Sequence, residues 1–204
     1  MKKLILLLLF SPFIAIGQTA IDYYNKANTY SDNDQHQLAI TYYTKAINLN
    51  PNDDFLETLY AFRGNSYGKL ERTDEAMADY NKAISVSSSS EYSYYCRGNL
   101  YRDLGDNDAA IADYSRALIV NHKYKFAYLA RGFMFEILEL NESASIDYTS
   151  AINSDPDYAS SWKYRGLARK KLGWSYCADF KKACDLGDNK SCDWYYKECN
   201  ITTE

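Results

Sequence analysis

The stretch Tyr94-Tyr95-Cys96-Arg97-Gly98-Asn99-Leu100-Tyr101-Arg102-Asp103-Leu104-Gly105-Asp106-Asn107 decides how the chain folds. Its Arg97-Gly98 pair has counterparts at Arg63-Gly64, Arg131-Gly132 and Arg165-Gly166, each 34 residues from the next. Self-similarity at a fixed period of this size marks a chain built from stacked supersecondary units. The register extends outward from the Gly. Tyr60, Tyr94, Tyr128 and Trp162 stand four before it, and Leu70, Leu104, Leu138 and Leu172 six after it. Ala76, Ala110 and Ala144 follow at twelve, Tyr80, Tyr114 and Tyr148 at sixteen, and Ala83, Ala117 and Ala151 at nineteen. Each of these positions is expected at a helix contact. Apolar and small residues spaced by three, four and seven draw a stripe along an α-helix, and polar turns such as Gly105-Asp106-Asn107 divide each unit into two helices.

Composition agrees with a helix-rich globular chain. With 9 Gly and 3 Pro in 204 residues, collagen, Pro-rich linkers and an all-β architecture are excluded, and 16% aromatic residues exclude disorder. The formal net charge is −4 and no basic run exceeds Arg169-Lys170-Lys171. The electrostatic footprint of a nucleic-acid binder is missing, so nucleic acid is not an expected partner. At the amino end Lys2 and Lys3 precede an apolar run from Leu4 to Ile16, broken at Pro12, and Ala15 and Gly17 place small residues before Gln18. This is the pattern of a secretory signal peptide over residues 1–17, cut near Gly17. The run is too short for the roughly 20 residues of a spanning helix, so no membrane insertion is expected after cleavage. The expected location is periplasmic or extracellular.

The set of aromatic, Gly, Tyr and Ala positions, closing on Pro51 and Pro156, resembles the tetratricopeptide repeat family. Tyr23, Ala27, Tyr30, Ala39, Tyr43 and Ala46 fit an earlier copy in which Ala27 replaces the Gly. The resemblance implies an all-α fold: a right-handed α-solenoid of about five antiparallel helix pairs plus a C-terminal capping helix. One repeat domain is expected over 18–200, with copies at 20–53, 57–90, 91–124 and 125–158, a degenerate copy at 159–187 and the cap at 189–199. Ser88 and His122 depart from the terminal Pro, and the run Ser87 to Ser90 loosens one junction.

Copies two to five carry Arg63, Arg97, Arg131 and Arg165, and the same copies carry Asp79, Asp113, Asp147 and Asp179 on the second helix. The first copy has Lys26 and Tyr42 instead. Pairing within a copy leaves none of the eight alone, which favours Arg63–Asp79, Arg97–Asp113, Arg131–Asp147 and Arg165–Asp179, each able to be bidentate. Near the carboxyl end, Cys177 and Cys184 share one helix face, and Cys192 and Cys199 share a face of the next, because seven residues make two turns. Gly187-Asp188 stops one helix and caps the other, so an antiparallel hairpin faces Cys184 with Cys192 and Cys177 with Cys199. The end of the chain is similar to the bridged hairpins of bacterial cysteine-rich helical-repeat proteins. A four-Cys zinc site would show closer Cys pairs, and export favours oxidation, so two disulfides and no metal are expected. Cys96 is left over as a small half-buried thiol.

The search for catalysis finds little. His36 and His122 both sit at turns. Ser66-x-x-Lys69 and Ser160-x-x-Lys163 match one short element of penicillin-interacting enzymes, but the remaining elements are out of order or absent. The expected function is a non-catalytic scaffold or adaptor for a protein or peptide partner, without cofactor. The alternative is a cysteine-rich repeat enzyme such as a penicillin-acting hydrolase. The family resemblance implies that the first helix of each pair lines a concave groove. The candidate groove residues are then Asn28, Asn65, Asn99 and Phe133, one after the Gly position; Tyr24 and Tyr95, three before it; and Tyr92 and Phe126, six before it. Asn could grip an extended peptide backbone while the rings supply buried area. Two readings of these rows stand, the groove and simple packing between repeats with solvated Asn.

Overall fold

The turns in the sequence set where helices start and stop. In the computed structural model, which describes residues 12–199, the elements are α1 (Pro12–Asp32), α2 (His36–Asn48), α3 (Asp53–Lys69), α4 (Thr73–Val86), α5 (Glu91–Asp103), α6 (Asn107–Val120), α7 (Lys125–Ile137), α8 (Asn141–Ser154), α9 (Ala159–Lys171), α10 (Cys177–Asp185) and α11 (Asn189–Trp194). A π-helical turn, Tyr195–Cys199, follows α11 directly. Residues 1–11 of the expected signal peptide lie outside the described residues, and α1 runs through its remainder. Asn52, Ser90, Asp106 and Asp188 each cap a helix by accepting the backbone N–H three residues on, which satisfies one of the donors orphaned at a helix start. Within each pair the connecting turn passes through left-handed backbone, at Asp34, Glu71, Gly105, Glu139 and Gly173.

Helix pairs close on the Gly. A Cβ placed on Gly64, Gly98, Gly132 or Gly166 would lie 2.8, 2.7, 2.8 or 2.6 Å from a ring carbon of Tyr80, Tyr114, Tyr148 or Phe180. No side chain fits there, so the ring of the second helix lies flat against the backbone of the first. In the first pair Ala27 and Tyr43 hold these places, both fully buried. Fully buried alanines at 39, 46, 76, 83, 110, 117, 144 and 151 complete the close approach. The Leu positions behave differently from the expectation of helix contacts. Leu70, Leu104, Leu138 and Leu172 are C-caps of the first helices, and the first three are 38%, 57% and 41% exposed. They end a helix, where the chain turns away from the core, and do not pack inside the pair.

The fold is an all-α helical-repeat solenoid, and no strand occurs among the described residues. The helices fall into two compact units divided between Ser88 and Ser89, within the Ser87 to Ser90 run. The first unit, α1 to α4, has a core of Ala20, Ala27, Ala39, Tyr43, Ala46 and Leu59. In the second unit, α5 to α11, successive clusters centre on Tyr114 with Met134, on Ala117 with Ala127, and on Tyr148 with Ala168. Cys96 is buried and unbridged.

Candidate binding groove

The arginine beside each Gly fixes the two helices of its pair. Arg63 donates from Nε and Nη2 to the two carboxylate oxygens of Asp79, both at 2.7 Å. Arg97 meets Asp113 at 2.7 and 2.8 Å, Arg131 meets Asp147 at 2.8 Å twice, and Arg165 meets Asp179 at 3.1 and 2.6 Å. These are fork-on-fork pairs, and all four Asp are buried. Hydrogen bonding to the carboxylate holds Arg97 and Arg131 above the ordinary guanidinium value, against the opposing effect of burial. The aromatic three residues earlier covers each guanidinium: Tyr60, Tyr94, Tyr128 and Trp162 lie 5.4, 5.8, 5.9 and 4.8 Å away. In addition Arg63, Arg131 and Arg165 donate from Nη1 to Thr44, Ser115 and Thr149 of the preceding helix pair. Each therefore ties its own pair together and anchors it to its neighbour.

The Asn row belongs to the same framework. Tyr43, Tyr80 and Tyr114 donate their hydroxyls to Oδ1 of Asn28, Asn65 and Asn99 at 2.6, 2.6 and 2.8 Å. A Tyr ring pressed on the Gly is buried, and burial raises the hydroxyl pKa of Tyr43, Tyr114 and Tyr148, so each hydroxyl stays protonated and needs an acceptor. Asn supplies it in three copies. In the fourth copy Phe133 replaces the Asn, and Tyr148 donates to Oε2 of Glu136 at 2.6 Å. In the fifth, Leu167 stands there and the ring is Phe180, which has no hydroxyl. The Asn side chains are half-buried, and their Oδ1 atoms hold the helix pair.

Of the other candidate groove residues, the structure gathers Tyr95, Phe126 and Phe133 around a cavity of about 240 Å³ in the second unit. The cavity is formed by α5, α7 and α9, the first helices of three successive pairs, with Tyr148 reaching it from α8. Tyr95 and Phe126 lie 6.4 Å apart, and Phe126 meets Tyr158 edge-on at 5.9 Å. Phe126 and Phe133 keep 38% and 45% of their surface exposed. Tyr24 instead packs edge-on against Phe55 and Phe62 in the first unit, and Tyr92, half-buried on α5, does not line the cavity. The sequence reading missed Arg102, Tyr158 and Tyr164. Arg102 lies four residues after Gly98, the next step of the same helical stripe, so extending the three- and four-residue spacing would have found it.

The second unit ends in a stapled hairpin. Cys177 is bonded to Cys199 with Cα atoms 5.5 Å apart, and Cys184 to Cys192 at 4.6 Å. Asp188 at the hairpin turn accepts from Lys163 at 2.8 Å, and Glu198 accepts from Lys170 at 2.6 Å. Burial alone would raise the Asp188 carboxyl; Lys163 and the Ser191 N–H overcome this and hold it below its ordinary value. Trp194 packs on Phe180 at 5.2 Å, carrying the hairpin's apolar face onto the fifth copy. Among the serines considered for catalysis, Ser66 is buried and donates to the Phe62 carbonyl, and Lys163, beside Ser160, is held by Asp188. His36 lies 3.6 Å from Asp34, and His122 is exposed. Among the described residues no group of His, Cys, Asp and Glu is placed to hold a metal ion, and no helix is long and apolar enough to cross a membrane.

The tetratricopeptide repeat sequence profile matches residues 20–53 and 91–124, and a second profile of the same repeat matches 64–101. The chain carries tetratricopeptide repeats. No curated protein matches it. Among solved structures, MamA is similar at 22% identity and a TM-score of 0.67, over 81% of this chain and 96% of that one. YrrB, described as a TPR protein with an unusual peptide-binding site, is similar at 23% identity and a TM-score of 0.63, over 92% and 98%. The first TPR of Spaghetti (RPAP3), bound to an HSP90 peptide, is similar at 24% identity and a TM-score of 0.54, over 57% and 93%. At these identities the likeness is one of fold.

Proposed function

We propose that the chain is a non-catalytic scaffold that binds a protein or peptide segment, exported to the periplasm or beyond, and that it binds through the aromatic cavity of its second unit. The observation that carries the reading is that cavity: rings contributed by three successive first helices, two of them well exposed, around an unfilled volume. Large, stiff aromatic side chains in a concave setting are what concentrates binding energy at protein interfaces. The peptides bound by other tetratricopeptide repeat proteins support the class of partner. Export is supported by the amino-terminal pattern and by two disulfides, which persist in oxidising compartments. A cut at Gly17 leaves Ala20, which is fully buried, within the retained part of α1. Penicillin-acting chemistry gains no support, since the Ser66 hydroxyl is buried in a helix and Lys163 is engaged by Asp188.

The test is capture from an envelope extract with the protein beginning at Gln18, beside an Ala130→Phe variant that places a ring in the cavity. Wild type retains a specific partner and the variant loses it with its helicity intact. Equal capture by both would remove the cavity from the binding site. Export is checked separately by amino-terminal sequencing of periplasmic material, which should begin at Gln18.

A further inference from the structure

We infer that the cavity selects an extended segment carrying a large aromatic side chain close to an acidic side chain, with Arg102 as the residue that reads the acid. This rests on the binding role proposed above for the same cavity and names its ligand class.

The apolar part of the recognition comes from the lining. Tyr95, Phe126, Phe133, Tyr158 and Tyr164 line the cavity, and among them Ala130 contributes only a methyl group. Edge-to-face and offset contacts are the favoured geometry between rings, and this wall already uses one, with Phe126 and Tyr158 edge-on at 5.9 Å. An incoming Phe or Trp side chain continues that arrangement.

The polar part comes from Arg102, the one cationic side chain on the lining among the described residues. Lys125 and Lys163 lie close by but are committed, to Asp155 and to Asp188. Arg102 also touches a carboxylate, but the contact is of a different kind. Its Nε and Nη2 both donate to one oxygen of Asp103, the next residue on the same helix, whose side chain is 62% exposed. Exposed pairs of this kind are weak. Its Nη1 reaches only Asn99 Oδ1, at 3.4 Å, an oxygen that already accepts from Tyr114. A guanidinium carries five N–H donors in a planar fork, so a ligand carboxylate arriving over the cavity can be met by two of them at once. The acid is an internal side chain, not a chain end. Past Arg102 the turn of Asp103, Leu104, Gly105 and Asp106 is exposed, which leaves room for the segment to run on.

The experiment is fluorescence anisotropy on the full mature protein with short labelled Gly/Ser peptides, amidated at the carboxyl end, whose centres read Phe-Ala-Glu, Phe-Ala-Lys or Ala-Ala-Glu. A fourth peptide ends in a free Phe carboxylate. The Phe-Ala-Glu peptide is expected to bind about 10-fold tighter than either amidated control. Arg102→Gln should bring Phe-Ala-Glu and Phe-Ala-Lys to within about twofold of each other while both still bind, and Asp103→Ala, which frees the fork, should tighten Phe-Ala-Glu. Equal binding of the Glu and Lys peptides to wild type would overturn the role of Arg102, and tighter binding of the free-ended peptide would overturn the internal acid. If no peptide binds, yet partner capture still depends on Ala130, the ligand class is wrong and the scaffold reading stands.

Discussion

In the first unit the groove positions fill themselves, and in the second they leave a cavity. Tyr24 packs on Phe55 and Phe62 at 5.5 and 5.7 Å, and Phe62 also meets Tyr43 at 6.2 Å, so the rings of α1 and α3 close over one another. Phe62 stands two residues before Gly64. Two before Gly132 the second unit has Ala130, and there the neighbouring rings surround an opening of about 240 Å³ instead of a ring. A ring stands at this position in the first unit and a methyl group in the second, where a cavity lies.

That frame is common ground between the units, and breaking it has the largest expected effect. Asp79→Ala in the first unit and Asp113→Ala in the second each leave a guanidinium, mostly buried, without its carboxylate. Removing one member of such a pair costs about 3 kcal/mol, so both variants should show a clearly lowered midpoint in urea unfolding. The first copy supplies the control. There Lys26 lies over the Tyr42 ring at 4.6 Å on the surface, and Lys26→Ala should leave the midpoint unmoved. A midpoint unchanged by Asp113→Ala would mean that the fork is not what holds the pair.

The bridges belong to the second unit alone, and they sharpen the contrast. Pairing Cys177→Ala with Cys199→Ala should cost about 2 to 4 kcal/mol, the usual worth of a disulfide closing a loop of this kind. All 3 tryptophans, at 162, 174 and 194, lie in the second unit, so their fluorescence follows that unit without interference from the first. Under reductant Trp194 should leave Phe180 and its emission shift to the red, while the first unit's Tyr43 hydroxyl remains protected from titration. Simultaneous loss of both signals would mean that the staple supports the whole chain.

The frame was legible in the sequence because its parts repeat. Arg and Asp change together from copy to copy, and the structure places each Arg against the Asp of its own pair. The hairpin was legible because two spacings of seven flank a Gly-Asp turn. The site was only partly legible. Tyr95, Phe126 and Phe133 fell in the rows that the family pattern marks, but the cavity they line also takes in Arg102, Tyr158 and Tyr164, which lie outside those rows. The Asn row was read by its chemistry facing outward, although Tyr43, Tyr80 and Tyr114, each fifteen residues on, lose a partner without it. The clue was present in the fifth copy, where Asn becomes Leu167 and Tyr becomes Phe180 together.

That substitution predicts a middle-sized effect with an internal rescue. Asn99→Ala removes the acceptor of the buried Tyr114 hydroxyl and should cost about 1 to 3 kcal/mol, the range for a buried donor left unsatisfied. Asn99→Leu combined with Tyr114→Phe, which copies the fifth repeat onto the third, should recover most of the loss. If the double variant is as unstable as the single one, the hydroxyl is not the reason for the Asn.

The smallest effect concerns acid and the hairpin, and its sign follows from Asp188. Lys163 and the Ser191 N–H hold its carboxyl below the ordinary value of 3.8, so the folded hairpin binds this proton less readily than the unfolded chain does. Its contribution is then fully present above about pH 4 and is lost as the pH falls through the lowered value of the folded state. Protonation removes both the ion pair with Lys163 and part of the cap on α11. Glu198 is held down by Lys170 in the same way, so two carboxyls on the hairpin titrate in one direction. Solvent reaches both pairs, so the shift in stability should be the smallest of those expected. Trp194 emission should accordingly move at a higher pH than the helical signal of the chain as the solution is acidified. Asp188→Asn keeps an oxygen for the Ser191 N–H but cannot titrate, and together with Glu198→Gln it should flatten that early step. A step that survives in the double variant would trace to other carboxyls, and the link from the hairpin through Lys163 to Tyr164, whose ring lies 5.2 Å from the Lys163 ammonium on the cavity wall, would carry no pH signal.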